Sequence, residues 1–262
     1  MTIIERLQQH KDLQPYKIAL IVDEEQYTYG QLYDAIISME FNNTSRIINL
    51  GQFNDGQKNK VLLTQSLSFV EQLLQWLWGL YKGYIPMVCH NEMDVAYIDE
   101  LARIISVEGV PTSADFGVLT SGTTGRPKPL WRSESSWREF FDIQNNIFYI
   151  NKDTKIFLHG SFSFTGVSNM VVAVLWSGGT VITTSSLRPI RWIQLIDKYH
   201  VDHIYALPTK LRLLVRHCKS KLDSISYIIG GSQVLDRQLM EQLELICPNM
   251  EFILYYGASE LN

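Results

Sequence analysis

The sequence predicts an α/β protein of layered, parallel-rich sheets with flanking helices. Three observations predict it. Apolar spacing switches repeatedly between strand and helix periods along the chain. In the second half, strands are separated by single helices, the connection that a parallel pair needs. Glycine-rich turns follow three of the strand candidates, where open parallel sheets bind ligands.

The elements follow in order. Residues 18–29 read as two short strands around an acidic turn, Asp23-Glu24-Glu25. A helix is expected from Tyr29 to about Glu40. The stretch Asn42 to Lys60 is rich in Asn, Gly and Gln and reads as a loop region. Val61 to Leu63 is a buried strand candidate. Leu73, Trp76, Leu77 and Leu80 share one helix face within Phe69–Lys82, and Gly83 ends that helix. Tyr84 to Val88 and Phe116 to Thr120 are the next strands. Pro189 suits the first turn of a helix carrying Trp192, Leu195, Ile196 and Tyr199. Val201–Leu207, Ile225–Ile229 and Glu251–Tyr256 are strands. Between them lie helices marked by Leu211, Leu214, Val215 and Cys218, and by Leu239, Leu243 and Ile246, the latter capped by Asp236. This β-α-β-α-β run predicts parallel strands with their ends on one edge. The turns after Thr120, Ile229 and Tyr256 are then expected to converge there. Residues 1–115 are read as a first α/β lobe and 116–262 as a second.

Composition narrows the function. The chain has 262 residues, 46% hydrophobic and 19% charged, an ordinary globular balance. A net charge of -4 gives no basic footprint for nucleic acid. Cys89, Cys218 and Cys247 are odd in number and far apart, so neither a disulfide framework nor a zinc site is expected. No stretch approaches the roughly 20 apolar residues that span a bilayer. The N-terminus lacks a basic segment followed by an apolar run, and a cytoplasmic location is expected.

The densest motif is Thr120-Ser-Gly-Thr-Thr-Gly-Arg-Pro-Lys128. Gly122 and Gly125 permit close backbone approach. Backbone N–H groups and the hydroxyls of Ser121, Thr123 and Thr124 can donate to phosphate oxygens, and Lys128 adds positive charge. The Walker A spacing is absent.

This loop resembles the phosphate loop of the adenylate-forming (AMP-binding) superfamily, of the acyl-CoA synthetase or fatty acid-CoA ligase type. Tyr255-Tyr-Gly-Ala-Ser-Glu260 is similar to that family's YGxTE motif. Tyr27 to Leu32, Leu207-Pro208-Thr209 and Gly230-Gly231-Ser232 resemble further family segments in the same order. The resemblance implies an N-terminal domain of the acyl-CoA synthetase-like fold, lacking the small C-terminal domain that carries a catalytic Lys. It implies ATP and Mg2+ as cofactors and CoA as thiol acceptor, with no CoA-site residues assignable. Thr120, Ser121, Gly122, Thr123, Thr124, Gly125 and Lys128 would hold the pyrophosphate end of ATP. Gly230, Gly231, Ser232, Tyr256 and Gly257 would lie on the adenine side, and Ser259 would meet the α-phosphate. Glu260 would ligate magnesium as a hard oxygen donor. Lys128 and Glu260 are the implied catalytic residues.

Phe162-Ser163-Phe164-Thr165-Gly166 falls where the family carries acid-pocket residues. Amino-acid-activating relatives often have Asp at the position of Thr165. A buried ammonium without that partner is costly, so an acid without an α-amine is expected. Acyl- and aryl-CoA ligases often carry HxxG; Gly166 matches its glycine, while Ser163 replaces its histidine. Phe162, Phe164 and Trp176 read equally as acyl-pocket lining or as core. His200-x-x-His203 reads as packing or surface, and Arg188 with Arg191 as a solvated face. The implied reaction is activation of a carboxylic acid, fatty or otherwise, to an acyl-adenylate and then a thioester. Two alternatives stay open: a nucleotide- or acyl-binding remnant, and an adenylation module serving a carrier protein.

Overall fold

The computed structural model describes residues 1–40, 45–50, 60–120, 127–231 and 235–257. Two sheets organise them. One contains β1 (Ile18–Val22), β2 (Glu25–Thr28), β8 (Lys155–Leu158), β9 (Thr180–Thr183), β10 (His203–Tyr205), β11 (Tyr227–Gly231) and β12 (Glu251–Tyr255). Its strand order is β12-β11-β10-β8-β9-β1-β2, parallel throughout except at the β1–β2 hairpin. The other contains β3 (Arg46–Asn49), β4 (Lys60–Thr64), β5 (Ile85–Val88), β6 (Phe116–Leu119) and β7 (Pro129–Arg132), in that order, with parallel β4-β5-β6 at its centre.

Three apolar layers hold the sheets and helices together. The middle layer lies between the sheets. It joins α1 (Ile3–Leu13), α2 (Tyr29–Ser38), α3 (Phe69–Tyr81), α5 (Glu134–Ile147) and α6 (Thr165–Ser177) to Leu20, Leu158 and Ile229 of one sheet and Phe116 and Val118 of the other. α6 is buried over most of its surface from Val167 to Leu175, as expected for a helix enclosed by two sheets. Phe157, Ile182, Ile204 and Ile228 point to the opposite face of the large sheet. There they meet α7 (Pro189–Lys198), α8 (Pro208–His217) and α9 (Arg237–Ile246). α4 (Val95–Glu108) covers the outer face of the small sheet through Ile98, Leu101 and Ile105. Strands covered on both faces read as near-continuous apolar runs, which is why β10 and β11 were legible, whereas β8 and β9 were not read from the sequence.

Local chemistry sets the element ends. Thr28 and Gln31 form a reciprocal capping box on α2. The Asp236 carboxylate accepts from Leu239 N–H and caps α9, as the sequence suggested. Asp23 and Glu24 both take positive φ, 51° and 81°, so they form the two-residue hairpin loop and Glu25 starts β2. Their side chains offset that backbone strain. Asp23 accepts from the hydroxyls of Thr184 and Ser185 and from Ser185 N–H, and Glu24 pairs with Arg191 and Lys198.

Three expectations change. Arg46–Asn49 is a strand, although it lies in the stretch read as loop. It pairs antiparallel with β4 and buries Ile48, so tertiary pairing outweighs the turn-forming residues around it. The three glycine-rich turns do not leave one sheet edge. β6 belongs to the small sheet, whereas β11 and β12 belong to the large one. For the same reason the sheets do not follow a division at 115/116: β1 and β2 join the large sheet, and β6 and β7 join the small one.

Two predictions follow from this packing. Tyr29 is buried and its hydroxyl donates to Gly179 C=O at 2.7 Å, locking α2 to β9. Tyr29→Phe leaves that carbonyl short of a partner, and urea unfolding should show a loss of about 1–2 kcal/mol. Arg191 and Lys198 hold the Glu24 carboxyl down, from 4.5 to about 2. A depressed carboxyl stabilises the fold above its unfolded pKa, and the contribution fades as pH falls through the folded one. The urea midpoint of Glu24→Gln should therefore lie below wild type at pH 7, with the gap closing between pH 4.5 and 2.

Candidate functional site

The turn after β8 joins the two sheets. Its core anchor is Phe162, 1% exposed, with edge-on contacts to Phe69 and Trp76. Gln72, buried on α3, holds the turn's backbone. Its Oε1 accepts from Phe162 N–H at 2.9 Å and from Ser161 Oγ at 3.0 Å. Its Nε2 donates to Ser66 C=O and to Asn91 Oδ1. Ser161 Oγ lies 2.8 Å from Ser163 Oγ. Phe164 forms a parallel bridge with Leu119, the last residue of β6. The turn after β8 in one sheet thereby touches the strand of the other that leads into the Ser/Thr/Gly loop.

The root of that loop is closed by two bonds. Thr120 N–H donates to Lys128 C=O, and Lys128 N–H donates to Thr120 Oγ1, each at 3.0 Å. Tyr97 of α4 ties in Pro127 through its carbonyl. Lys128 is exposed. The loop residues Ser121, Gly122, Thr123, Thr124 and Gly125 lie outside the described residues, as do Ser232, Ser259 and Glu260.

Glycines shape the other wall. A Cβ on Gly166 would sit 2.4 Å from Tyr205 Oη. That hydroxyl is 2.6 Å from Tyr255 Oη, and burial pushes both phenols up in pKa. A Cβ on Gly231 would sit 2.8 Å from the Tyr255 ring. Gly231, Gly166, Tyr205 and Tyr255 thus form one packed wall. Gly230 faces the other way, where a Cβ would meet Phe252 at 2.5 Å. Tyr256 and Gly257 follow β12 and are exposed, Tyr256 by 84%.

Of the residues expected to line the acid pocket, Ser163 is buried, Phe164 is 49% exposed, and Thr165 opens α6 partly exposed. Phe162 and Trp176 resolve as core. Trp176 sits at the far end of α6, against Phe141, with Arg6 over its ring. His203 resolves as packing: it is buried, bonded to Asp202 and 3.1 Å from Phe148 C=O.

His90 is the residue that sequence reading missed. It follows β5 by two positions and stands at the carboxyl end of a parallel strand. That position was the available signal, because the rule that flagged the glycine turns applies equally to it. Its ring stacks on Phe164, with centroids 4.8 Å apart, and its Nδ1 lies 2.9 Å from Ser163 Oγ. Burial lowers its pKa, opposed by the Thr120 backbone and the Glu92 carboxylate. A second pair lies nearby in the chain. Lys210, partly buried and lowered in pKa by burial, donates to His159 C=O, and burial with the Lys210 charge takes His159 down to about 4.

A hollow of about 450 Å³ opens elsewhere, at the amino ends of β8, β10 and β11, lined by Asn145, Tyr149, Asp202 and Tyr227. It contains none of the site residues above. Among the described residues no group of three acidic, His or Cys side chains could hold a metal ion. A magnesium ion here would rest on phosphate oxygens with one or two carboxylates, the usual arrangement for that ion. No described helix is long and apolar enough to cross a membrane.

The glycine wall can be tested directly. Gly231→Ala and Gly166→Ala should each overpack it, at about 1–3 kcal/mol in urea unfolding. Both should also perturb the near-ultraviolet tyrosine signal of Tyr205 and Tyr255.

Comparison with known proteins agrees with the architecture. VraA of Staphylococcus epidermidis, named for a long chain fatty acid-CoA ligase, is 25% identical across 98% of this chain and 59% of its own length. The Bacillus subtilis acyl–CoA ligase YhfT is 29% identical across 55% of this chain and 30% of its own. The chain thus spans about 59% of the VraA relative. Among solved structures, the O-succinylbenzoate CoA synthetase MenE of Bacillus subtilis, in complex with ATP and magnesium, superposes with a TM-score of 0.77 at 15% identity. The match covers 97% of this chain and 60% of that one. A luciferase-like enzyme from the mealworm Zophobas morio gives 0.77 at 14% identity, over 99% and 73%. The sequence model of the AMP-binding enzyme family matches residues 116–262, more than half of the chain, and the protein therefore belongs to that family of adenylate-forming enzymes.

Proposed function

We propose that this chain binds ATP with Mg2+ and a carboxylic acid, and supplies the activation half of an acyl-CoA ligase reaction. The acid carboxylate attacks the α-phosphorus of ATP, giving an acyl-adenylate and releasing pyrophosphate. The thiol of CoA then attacks the acyl carbon, giving a thioester and releasing AMP. One observation carries this reading. The Leu119–Phe164 bridge sets the root of the Ser/Thr/Gly loop against the acid-side turn, so an acid and a triphosphate can meet there.

Role assignments follow that juxtaposition. The loop N–H groups and hydroxyls, with Lys128, offset phosphate charge, and such fixed donors act most strongly where charge develops. Glu260 supplies a carboxylate to magnesium, and Ser259 a hydroxyl to the α-phosphate. Magnesium, when bound there, would supply positive charge that offsets the charge of the triphosphate. Gly231 and the Tyr205–Tyr255 wall flank the nucleotide side. No carboxylate lies in the turn 161–166, which favours an acid without an α-ammonium group. The apolar Phe164 face suits a fatty or other acyl chain.

The test is carboxylate-dependent ATP–pyrophosphate exchange with magnesium, across short, medium, long and aromatic acids. Exchange with one acid class, falling about 100-fold or more in Lys128→Ala and Glu260→Ala, is the expected outcome. A folded chain that binds ATP without exchange would be a binding module that depends on further protein for turnover. A folded chain that binds neither Mg-ATP nor any acid would overturn the reading.

A further inference from the structure

The hydrogen-bond chain behind the acid-side turn has a fixed direction. Phe162 N–H can only donate, so the Gln72 atom it meets is the carbonyl oxygen. Ser161 Oγ must then donate to that same oxygen. Its single proton is spent, so Ser163 Oγ donates to Ser161 Oγ. Ser163 in turn has no proton left for His90, and His90 Nδ1–H donates to Ser163 Oγ. A neutral imidazole bonded this way carries its lone pair on Nε2.

Nε2 is buried and has no hydrogen-bond partner among the described residues, and the backbone of Thr120 acts on the ring. The N–H of Thr120 is already given to Lys128, so the group presented is the carbonyl. A buried lone pair without a described partner therefore lies at the root of the phosphate loop. A proton on the ring is favoured by the Thr120 backbone, and burial is what opposes it. The described charge bearing on the ring is the Glu92 carboxylate, which favours protonation. Phe164, Ser163 and Thr120 bring no charge of their own. An arriving oxyanion adds the missing electrostatic term.

We propose that His90 is a positioning residue that links the acid-side turn to the root of the phosphate loop, and that an oxyanion bound between them is held with uptake of a proton at His90 Nε2. The inference rests on the acid-activation reading above. The oxyanion can be a phosphate of ATP or the carboxylate of the acid. Protonated, His90 closes a continuous chain from Gln72 through Ser161 and Ser163 to Thr120. Ligand affinity then rises at low pH and is lost as pH rises through the pKa of the liganded imidazole.

The test is calorimetric titration of the chain at pH 7.5 in two buffers of unlike ionisation enthalpy. One arm uses Mg-ATP; the other uses decanoate and benzoate. His90→Phe keeps the ring stack without a titrating nitrogen, and His90→Asn keeps a donor toward Ser163 without a charge. Matching unfolding midpoints confirm that the variants are folded. Wild type should take up as much as about one proton per ligand in the arm that supplies the oxyanion, as expected for one imidazole. Both variants should lose that uptake and bind about tenfold or more weakly, the loss expected for one charge-assisted hydrogen bond. Binding by wild type without uptake, or with uptake equal to that of the variants, would overturn the role of His90 and leave the acid-activation reading standing. Failure of wild type to bind either ligand would overturn both.

Discussion

The arrangement of the site depends on how the turn after β8 is fixed between the two sheets. Gln72 supplies one oxygen to two donors of that turn, and Phe162 drives its ring into the aromatic core beside Trp76. Neither contact is strong alone, since a neutral hydrogen bond contributes about 1 kcal/mol net. Together they leave the turn one geometry. That geometry sets Phe164 against Leu119 and Ser163 against His90. The large sheet thereby contributes the turn 159–166 and the small sheet contributes the root of the Ser/Thr/Gly loop.

Glycine serves packing here as much as freedom of backbone. Gly166 and Gly231 have ordinary φ values, and their missing side chains are filled by the rings and hydroxyls of Tyr205 and Tyr255. A sequence motif read as a nucleotide contact is thus also a place where two strands carry large aromatics close together. Gly230 shows the same effect on the opposite face, toward Phe252. The two glycines of one dipeptide therefore face different layers, as successive residues of a strand must.

Much of the fold was legible because burial writes itself into local pattern. The face of Leu73, Trp76, Leu77 and Leu80 gave α3, and the apolar runs separated by single helices gave β10, β11 and β12 of the large sheet, while β8 and β9 went unread. Strand membership was not legible, because it depends on pairing between distant segments. β6 carries nothing in its own residues that chooses one sheet over the other. Arg46–Asn49 was hidden for the same reason: its partner, β4, decides that it is a strand. Trp176 and Phe162 looked equally like pocket and core, and only the helix positions separated them. His90 escaped because no motif surrounds it; its significance comes from Ser163, Phe164 and Thr120, which are far away in sequence.

Membership of the AMP-binding enzymes follows from the matched residues 116–262, and the residues before them complete both sheets. The central claim is that the phosphate-loop root and the acid-side turn form one site across those sheets. Amide hydrogen exchange with and without Mg-ATP tests it most directly. The account predicts slowed exchange together in residues 116–120, 127–132 and 159–166. Slowing confined to the hollow around residues 145–154, with these three segments unchanged, would contradict it.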